Sequence, residues 1–382
     1  MSGCLHHRCM PGLAIALALL GLGGCEVRSG SLGDTDRNGE TQATTMLKFI
    51  SPQSVALAQP MPSPLLFDTV SDYAEGVAMV RLKSRIGYLD GEGQVTIEVA
   101  DDNVTTAAPY AESLAVARVG DFFGYLDRTG HWAIDVQFSL AKSFSEGLAV
   151  VKGGTKYGYI NPEGEWVVEP QFDLAEPFVD DRALVKLADR YGYIDPAGRS
   201  VVAATFRDAW SFSETLAVAK QEAQYGYLDL TGTMVIPAQY DGAFNFSDGL
   251  ARVRQGRQFG FINPDGTMVI ATNLAFASDF SEGLVAVLQD RQWGYMDQTG
   301  EWVIAPQFDY AADFSEGLAA VQQQGRYGFI NPAGDWVIPP AYTNAGPFSE
   351  GRARVQLENR WGFVNRAGQL LTGSGFKDQA NW

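Results

Sequence analysis

From about residue 66 to residue 378 the chain is written in short apolar or alternating runs separated by Gly, Pro and Asn/Asp turn signals. One unit reads Phe144-Ser-Glu-Gly-Leu-Ala-Val-Val-Lys152, then Lys156-Tyr-Gly-Tyr-Ile-Asn161, then Pro162-Glu-Gly-Glu-Trp-Val-Val-Glu-Pro-Gln-Phe-Asp173. In its last run Trp166, Val168, Pro170 and Phe172 alternate with the more polar set Val167, Glu169, Gln171 and Asp173. That period of two predicts a strand with one buried face. No run carries the 3.6-residue period of a helix, and the density of Gly, Pro, β-branched and aromatic residues opposes one. Each unit therefore predicts three short strands, with Phe-Ser-Glu-Gly as the loop before the first.

The units recur in strict register. Aromatic-Gly-aromatic segments (Ile86 replaces the first ring in the first unit) place Gly87, Gly124, Gly158, Gly192, Gly226, Gly260, Gly294, Gly328 and Gly362 at an interval of 37 and then seven intervals of 34. A fixed period in this range marks a repeat array. Between the second and third runs stand Asn161-Pro-Glu-Gly164, Asp195-Pro-Ala-Gly198, Asn263-Pro-Asp-Gly266 and Asn331-Pro-Ala-Gly334. Asn or Asp first, Pro second and Gly fourth suit a type I turn closed by a left-handed Gly, hence a tight antiparallel hairpin. The Gly between two aromatics marks a bulge or a close approach of another backbone.

These motifs resemble the WG-repeat family of bacterial β-repeat proteins, whose signature is aromatic-Gly-aromatic-Ile/Leu-Asn/Asp followed by Gly, Pro-Gln-Phe/Tyr and Phe-Ser-Glu-Gly. Trp itself precedes Gly only at Trp293-Gly294 and Trp361-Gly362. The resemblance implies a non-enzymatic binding scaffold. The expected fold is all-β: a tandem array of about nine 34-residue three-stranded antiparallel meanders, each unit burying its aromatic face on the next. An open curved array is the expectation, because propellers usually have four to eight blades, and a closed β-propeller is the alternative. Leu66-Phe67-Asp68 reads as the last strand of a missing preceding unit, either a cap or a closing strap, and Gly375-Phe376-Lys377 reads as the completion of the final unit.

Candidate chemistry repeats with the units. Trp132, Trp166, Trp302 and Trp336 share one position, two residues after the turn Gly. The strand pattern places them in the inter-unit core, and the competing reading makes them ligand-contact aromatics that stack on sugar rings. An acid also recurs as Glu75, Glu112, Glu146, Glu214, Asp248, Glu282, Glu316 and Glu350, with Asp180 or Asp181 in the fourth unit. Their expected role is to accept backbone N–H bonds. Glu98 and Asp101-Asp102-Asn103, in the longer first interval, lack the dense acidic spacing of a calcium loop. His131 occupies a position that varies among units and reads as an exposed turn residue. No catalytic residue, cofactor or metal ligand is assigned.

The ends of the chain and its charge add location. Residues 1–24 hold Arg8 and an uncharged apolar run from Pro11 to Gly23, a secretory signal too short to span a bilayer. Leu22-Gly23-Gly24-Cys25 resembles the lipobox of bacterial lipoproteins, which implies a mature chain beginning at a lipidated Cys25 and anchored by several acyl chains. Residues 25–64 are rich in Ser, Gly, Thr, Asp, Gln and Pro and read as a flexible linker reaching roughly 35 Å. The repeat domain follows over 65–378, with a tail at 379–382. All three cysteines precede residue 26, so the repeats hold no disulfide. With 28 basic against 45 acidic residues the formal charge is −17, which argues against nucleic acid. The expected protein is a lipid-anchored scaffold or adaptor of the bacterial envelope whose partner is another envelope protein. A peptidoglycan or polysaccharide binder is the alternative, told apart by a line of solvent-exposed aromatics, and a glycoside or cell-wall hydrolase comes last.

Overall fold

A computed structural model describes residues 63–376. The expected signal peptide, Cys25, the expected linker up to residue 62 and the residues from 377 onward lie outside the described residues. Among those described, the regular elements are strands, gathered into nine antiparallel sheets that each follow chain order. The eighth sheet is representative: Tyr310–Ser315, Leu318–Gln323, Arg326–Ile330 and Trp336–Tyr342.

The three expected strands are the second, third and outer strands of each sheet. In seven of the nine sheets a further inner strand comes from the stretch around Phe-Ser that the sequence pattern assigns to a loop, and in the third and fifth the same stretch pairs through isolated bridges, Ala141 with Val151 and Ala209 with Ala219. Glu146 at φ 54° and Gly147 at φ 79° form a two-residue turn, and Ser145 and Leu148 exchange backbone hydrogen bonds of 2.9 and 3.2 Å around it. This is the left-handed hairpin turn usually written Asn-Gly, and Glu in its first place disguises it.

Inner strands of successive sheets lie against one another: Tyr310–Ser315 beside Asn344–Ser349, and Asn344–Ser349 beside Thr69–Ala74. The sheets are therefore blades of a closed nine-bladed propeller, and the expected open array is corrected to its alternative. Closure rests on the chain ends. The ninth blade supplies only three strands, and Leu65–Phe67 completes it at the outer edge. Phe67 pairs with Trp361 as Phe308 pairs with Trp293, through bonds of 2.7 and 2.9 Å. The N-terminal segment is thus a closing strap. Gly375 and Phe376 cross instead to the first blade, where Gly375 bonds the backbone of Gly93 and Val95, and the Phe376 ring lies 6.5 Å from that of Phe67.

Blade number is not limiting because every interface repeats the same contacts. Nine buried clusters fill the nine gaps, among them Tyr295 and Phe308 of one blade against Phe314 and Ile330 of the next, and Phe363 of the ninth against Val70 and Tyr73 of the first. The acid ladder clasps each blade to its successor. Glu316 accepts the Gly351 N–H at 2.8 Å, and Glu350 accepts the Gly76 N–H at 2.8 Å across the closure. In the fourth blade the clasp is Asp180, which accepts from Thr215 at 3.0 Å. Ser315 Oγ donates to the Phe348 carbonyl at 2.7 Å, and Ser349 repeats this to Tyr73 at 2.8 Å. Tyr159 donates its hydroxyl to the carbonyl of Glu176, just past the next blade's inner strand, and Tyr295 donates to that of Ala312 within one. At Gly294 the outer strand bulges across the third, so a Cβ there would overlap the Ile304 carbonyl oxygen.

Candidate functional site

The hairpins between second and third strands, and the links from each outer strand to the next inner one, share one face of the ring, called here the upper face. Just beneath it a row of paired residues crosses every blade. In blade seven the row is Phe276, Leu288, Trp293 and Phe308, and in blade eight Tyr310, Gln322, Tyr327 and Tyr342. The second-strand place in this row is a cation in blades one to six: Arg81, Arg118, Lys152, Lys186, Lys220 and Arg254. In blades seven to nine it is Leu288, Gln322 and Gln356. Four of the cations lie over the third-strand ring of their own blade: Arg118 at 5.6 Å from Phe123, Lys152 at 5.3 Å from Tyr157, Lys186 at 5.3 Å from Tyr191 and Lys220 at 5.1 Å from Tyr225.

Where the cations stop, aromatic rings join. Phe244, Phe259, Phe276, Trp293, Tyr310 and Tyr327 form an unbroken chain over blades six to eight, with successive centroids 6.1, 5.8, 5.6, 5.9 and 6.1 Å apart. Neighbouring rings meet at 51° to 79°, edge to face rather than stacked. Phe276 and Tyr310 are each 43% exposed, and Trp210, 5.7 Å from Tyr225 in blade five, is 41% exposed. Beneath the arc the buried Arg252 guanidinium sits 4.0 Å from the Phe244 ring and 3.2 Å from the Asp279 carboxylate. Burial pushes the Arg252 pKa down and that of Asp279 up, while each charge partly offsets the shift on the other.

Clefts open between adjacent outer strands at the rim. The one between blades six and seven is about 600 Å³ and is lined by Asn273, Leu288, Gln289, Thr299 and Trp302. Another, of about 760 Å³, lies between blades four and five beside Lys220 and Met234, and a third, of about 380 Å³, lies between blades two and three beside Phe122 and Trp166.

The four repeat tryptophans are all half-buried, packed toward the preceding blade, and none belongs to the arc. Trp166 and Trp336 meet Phe138 and Phe308 edge-on at 5.9 Å, and Trp132 donates its indole N–H to Asp101 at 3.2 Å. Trp302 packs with Leu274 where Trp166 and Trp336 meet Phe, and it lines the 600 Å³ cleft beside the arc. Asp101 also accepts from the Asn103 backbone, which holds its carboxyl below the usual range, and Glu98 pairs with Arg85 at 2.8 Å. His131 is exposed, with Nδ1 3.0 Å from the Thr129 hydroxyl. Among the described residues no three acidic or histidine side chains group as a cation site.

Sequence reasoning missed the arc. Its signal is a half-period: Phe259, Phe276, Trp293, Tyr310 and Tyr327 follow one another at 17 residues, alternating between third and inner strands. The loss of the cation at Leu288, Gln322 and Gln356 is a second signal.

Comparison with known proteins agrees with this architecture. No curated protein matches the sequence. The crystal structure of a eukaryotic initiation factor is similar over 76% of this chain and 93% of its own, at 10% identity and a TM-score of 0.58, a likeness of fold alone. Hsv2p of Kluyveromyces lactis matches over 60% of this chain and 92% of its own, at 9% identity and a TM-score of 0.38. The family model for the WG containing repeat matches seven times, over residues 123–154, 157–191, 191–223, 225–257, 259–291, 293–327 and 327–361. With repeats matched over more than half its length, and the same clasps and cores in every blade, the chain belongs to the WG-containing-repeat family.

Proposed function

We propose that this propeller is a non-enzymatic adaptor of the bacterial cell envelope, held to a membrane by lipid on Cys25 and presenting its upper face to another envelope protein. The observation that carries the reading is the row of cation–aromatic pairs repeated in blades two to five. Tyr, the ring in three of the four pairs, is a side chain that concentrates binding energy at protein interfaces, the regularly spaced charges suit an acidic partner surface, and a rigid repeated row loses little entropy when a partner docks. The repeated acids, the most plentiful candidates for acid–base chemistry, are occupied as blade clasps. The lipobox-like Leu22-Gly23-Gly24-Cys25 supports the tether and the envelope location.

Metabolic labelling with a clickable palmitate, compared with Cys25→Ser, tests the tether: label lost in the variant supports it, and an unlabelled wild-type chain sinks it. Affinity capture from envelope extracts, run with wild type and with Lys152→Ala/Lys186→Ala/Lys220→Ala, tests the face. A saturable protein partner that the triple variant loses is the expected result. Equal capture by both moves the interface elsewhere.

A further inference from the structure

We propose that blades six to eight carry a second binding site, for a neutral polysaccharide chain laid along the aromatic arc. This goes beyond the adaptor reading and does not depend on it. The repeat itself points to the place. Blades one to six keep a cation in the upper row, whereas blades seven to nine replace it with Leu288, Gln322 and Gln356. In the same sector the inner strands acquire Phe276 and Tyr310, where blades four and six have Leu174 and Gly242. Charge is withdrawn and aromatic surface is added at adjoining positions.

The geometry suits a sugar chain. Phe276 and Tyr310 flank Trp293 at 5.6 and 5.9 Å, so two exposed rings are held rigid by a third between them. Fixed rings offer apolar faces to the C–H faces of pyranoses without an ordering cost. Amides stand among the polar side chains beside them: Gln289 and Gln292 flank the Asp290-Arg291 turn of blade seven, and Gln322 and Gln324 lie in blade eight. An amide both donates and accepts, as a sugar hydroxyl does, and it carries no charge. Arg254, the last cation of the row, bonds the carbonyls of Asp241 and Gly256 at 2.6 and 2.7 Å, and so is committed to backbone rather than to an anionic ligand. Beside Leu288 and Gln289 the arc adjoins the 600 Å³ cleft with Asn273, Thr299 and Trp302 in its wall, a size that takes a branch or terminal sugar.

Affinity electrophoresis of the full chain in detergent tests this, in gels containing hydroxyethyl cellulose, mannan or dextran, with polygalacturonate as the anionic control. The expected result is retardation by at least one neutral polymer. Its dissociation constant should rise about tenfold or more in Phe276→Ala/Tyr310→Ala and in Gln289→Ala/Gln322→Ala, and stay unchanged in Lys152→Ala/Lys186→Ala. All these side chains lie at the surface, and unchanged melting temperatures show that the variants fold. No retardation by any neutral polymer, retardation by polygalacturonate alone, or full retardation of the Phe276→Ala/Tyr310→Ala variant overturns the proposal. Capture of a protein through Phe276 and Tyr310 with no polymer bound overturns it too, while leaving the adaptor reading in place.

Discussion

Single residues hold this ring in conformations that make sense only across a blade boundary. Glu282 sits at φ 54°, where a non-glycine residue is strained by about 1 kcal/mol, and its carboxylate accepts the Gly317 N–H of the next blade at 2.8 Å. Glu282→Gly removes the bond but relieves the strain, Glu282→Ala removes the bond and keeps it, and Glu282→Gln retains an acceptor. Denaturant titration should rank Gln above Gly above Ala, with Gly and Ala separated by about 1 kcal/mol; Ala as stable as Gln would mean that the clasp contributes nothing. The buried phenols give a pH prediction. Burial pushes Tyr88, Tyr125, Tyr159, Tyr193, Tyr227 and Tyr295 far above the ordinary tyrosine value, and Tyr110 up to about 12. A raised folded pKa gives stability that is complete below the unfolded value near pH 10 and is lost as pH climbs toward the folded one, because only the unfolded chain releases those protons. Melting temperature should fall steeply above about pH 10, with most tyrosinate absorbance appearing together with unfolding. Full tyrosinate absorbance while the fold persists would contradict it. The acid ladder was legible in the sequence because one acid stands at the same place in every unit, before Gly in six of the nine, and has one repeated job. Phe276 and Tyr310 were not, because they matter only once an inner strand is known to lie beside Trp293.

At the scale of elements, the strap and the inner strands decide what the array becomes. The spare strand at Leu66-Phe67-Asp68 was visible in the sequence, and so were the three runs of each unit. The inner strand was hidden by Glu standing where a hairpin turn normally has Asn. The open array was expected from the count of nine units, and that count is no barrier because each gap is filled by a buried cluster of the same kind. Phe67 is fully buried, pairs with Trp361 and joins the cluster between the ninth and first blades. Phe67→Ala should cost about 3–5 kcal/mol by emptying that cluster. Phe122→Ala, at a ring 51% exposed beside a rim cleft, should change stability by no more than about 0.5 kcal/mol. Chemical denaturation of the two variants in parallel makes the comparison, and equal losses would mean that the strap is dispensable.

On the scale of the whole molecule, closure changes how nine similar units share stability. A linear array is a sum of units and nearest-neighbour interfaces, so its terminal units, with one neighbour each, open first. In this ring each blade has two neighbours, and the interface between ninth and first carries the same Glu350–Gly76 and Ser349–Tyr73 bonds as the interior ones. Ion pairs cross interior interfaces and the closure alike: Arg128–Glu75, Lys142–Glu176, Arg252–Asp279 and Arg366–Glu316 within the array, and Arg354–Asp72 between the ninth blade and the first. No blade is therefore a natural starting point for opening while the strap is seated. Hydrogen exchange should show comparable protection in the third strands of all nine blades of the wild-type protein. In Phe67→Ala the ring gains two ends, and protection should fall first in the Arg360–Asn365 and Arg85–Asp90 strands of blades nine and one and grade back toward blade five. Faster exchange spread evenly over every blade of the variant would instead mean that the interfaces are coupled too tightly for a unit to open alone. Wild-type protection already graded from blades nine and one would mean that the strap does not close the ring in solution.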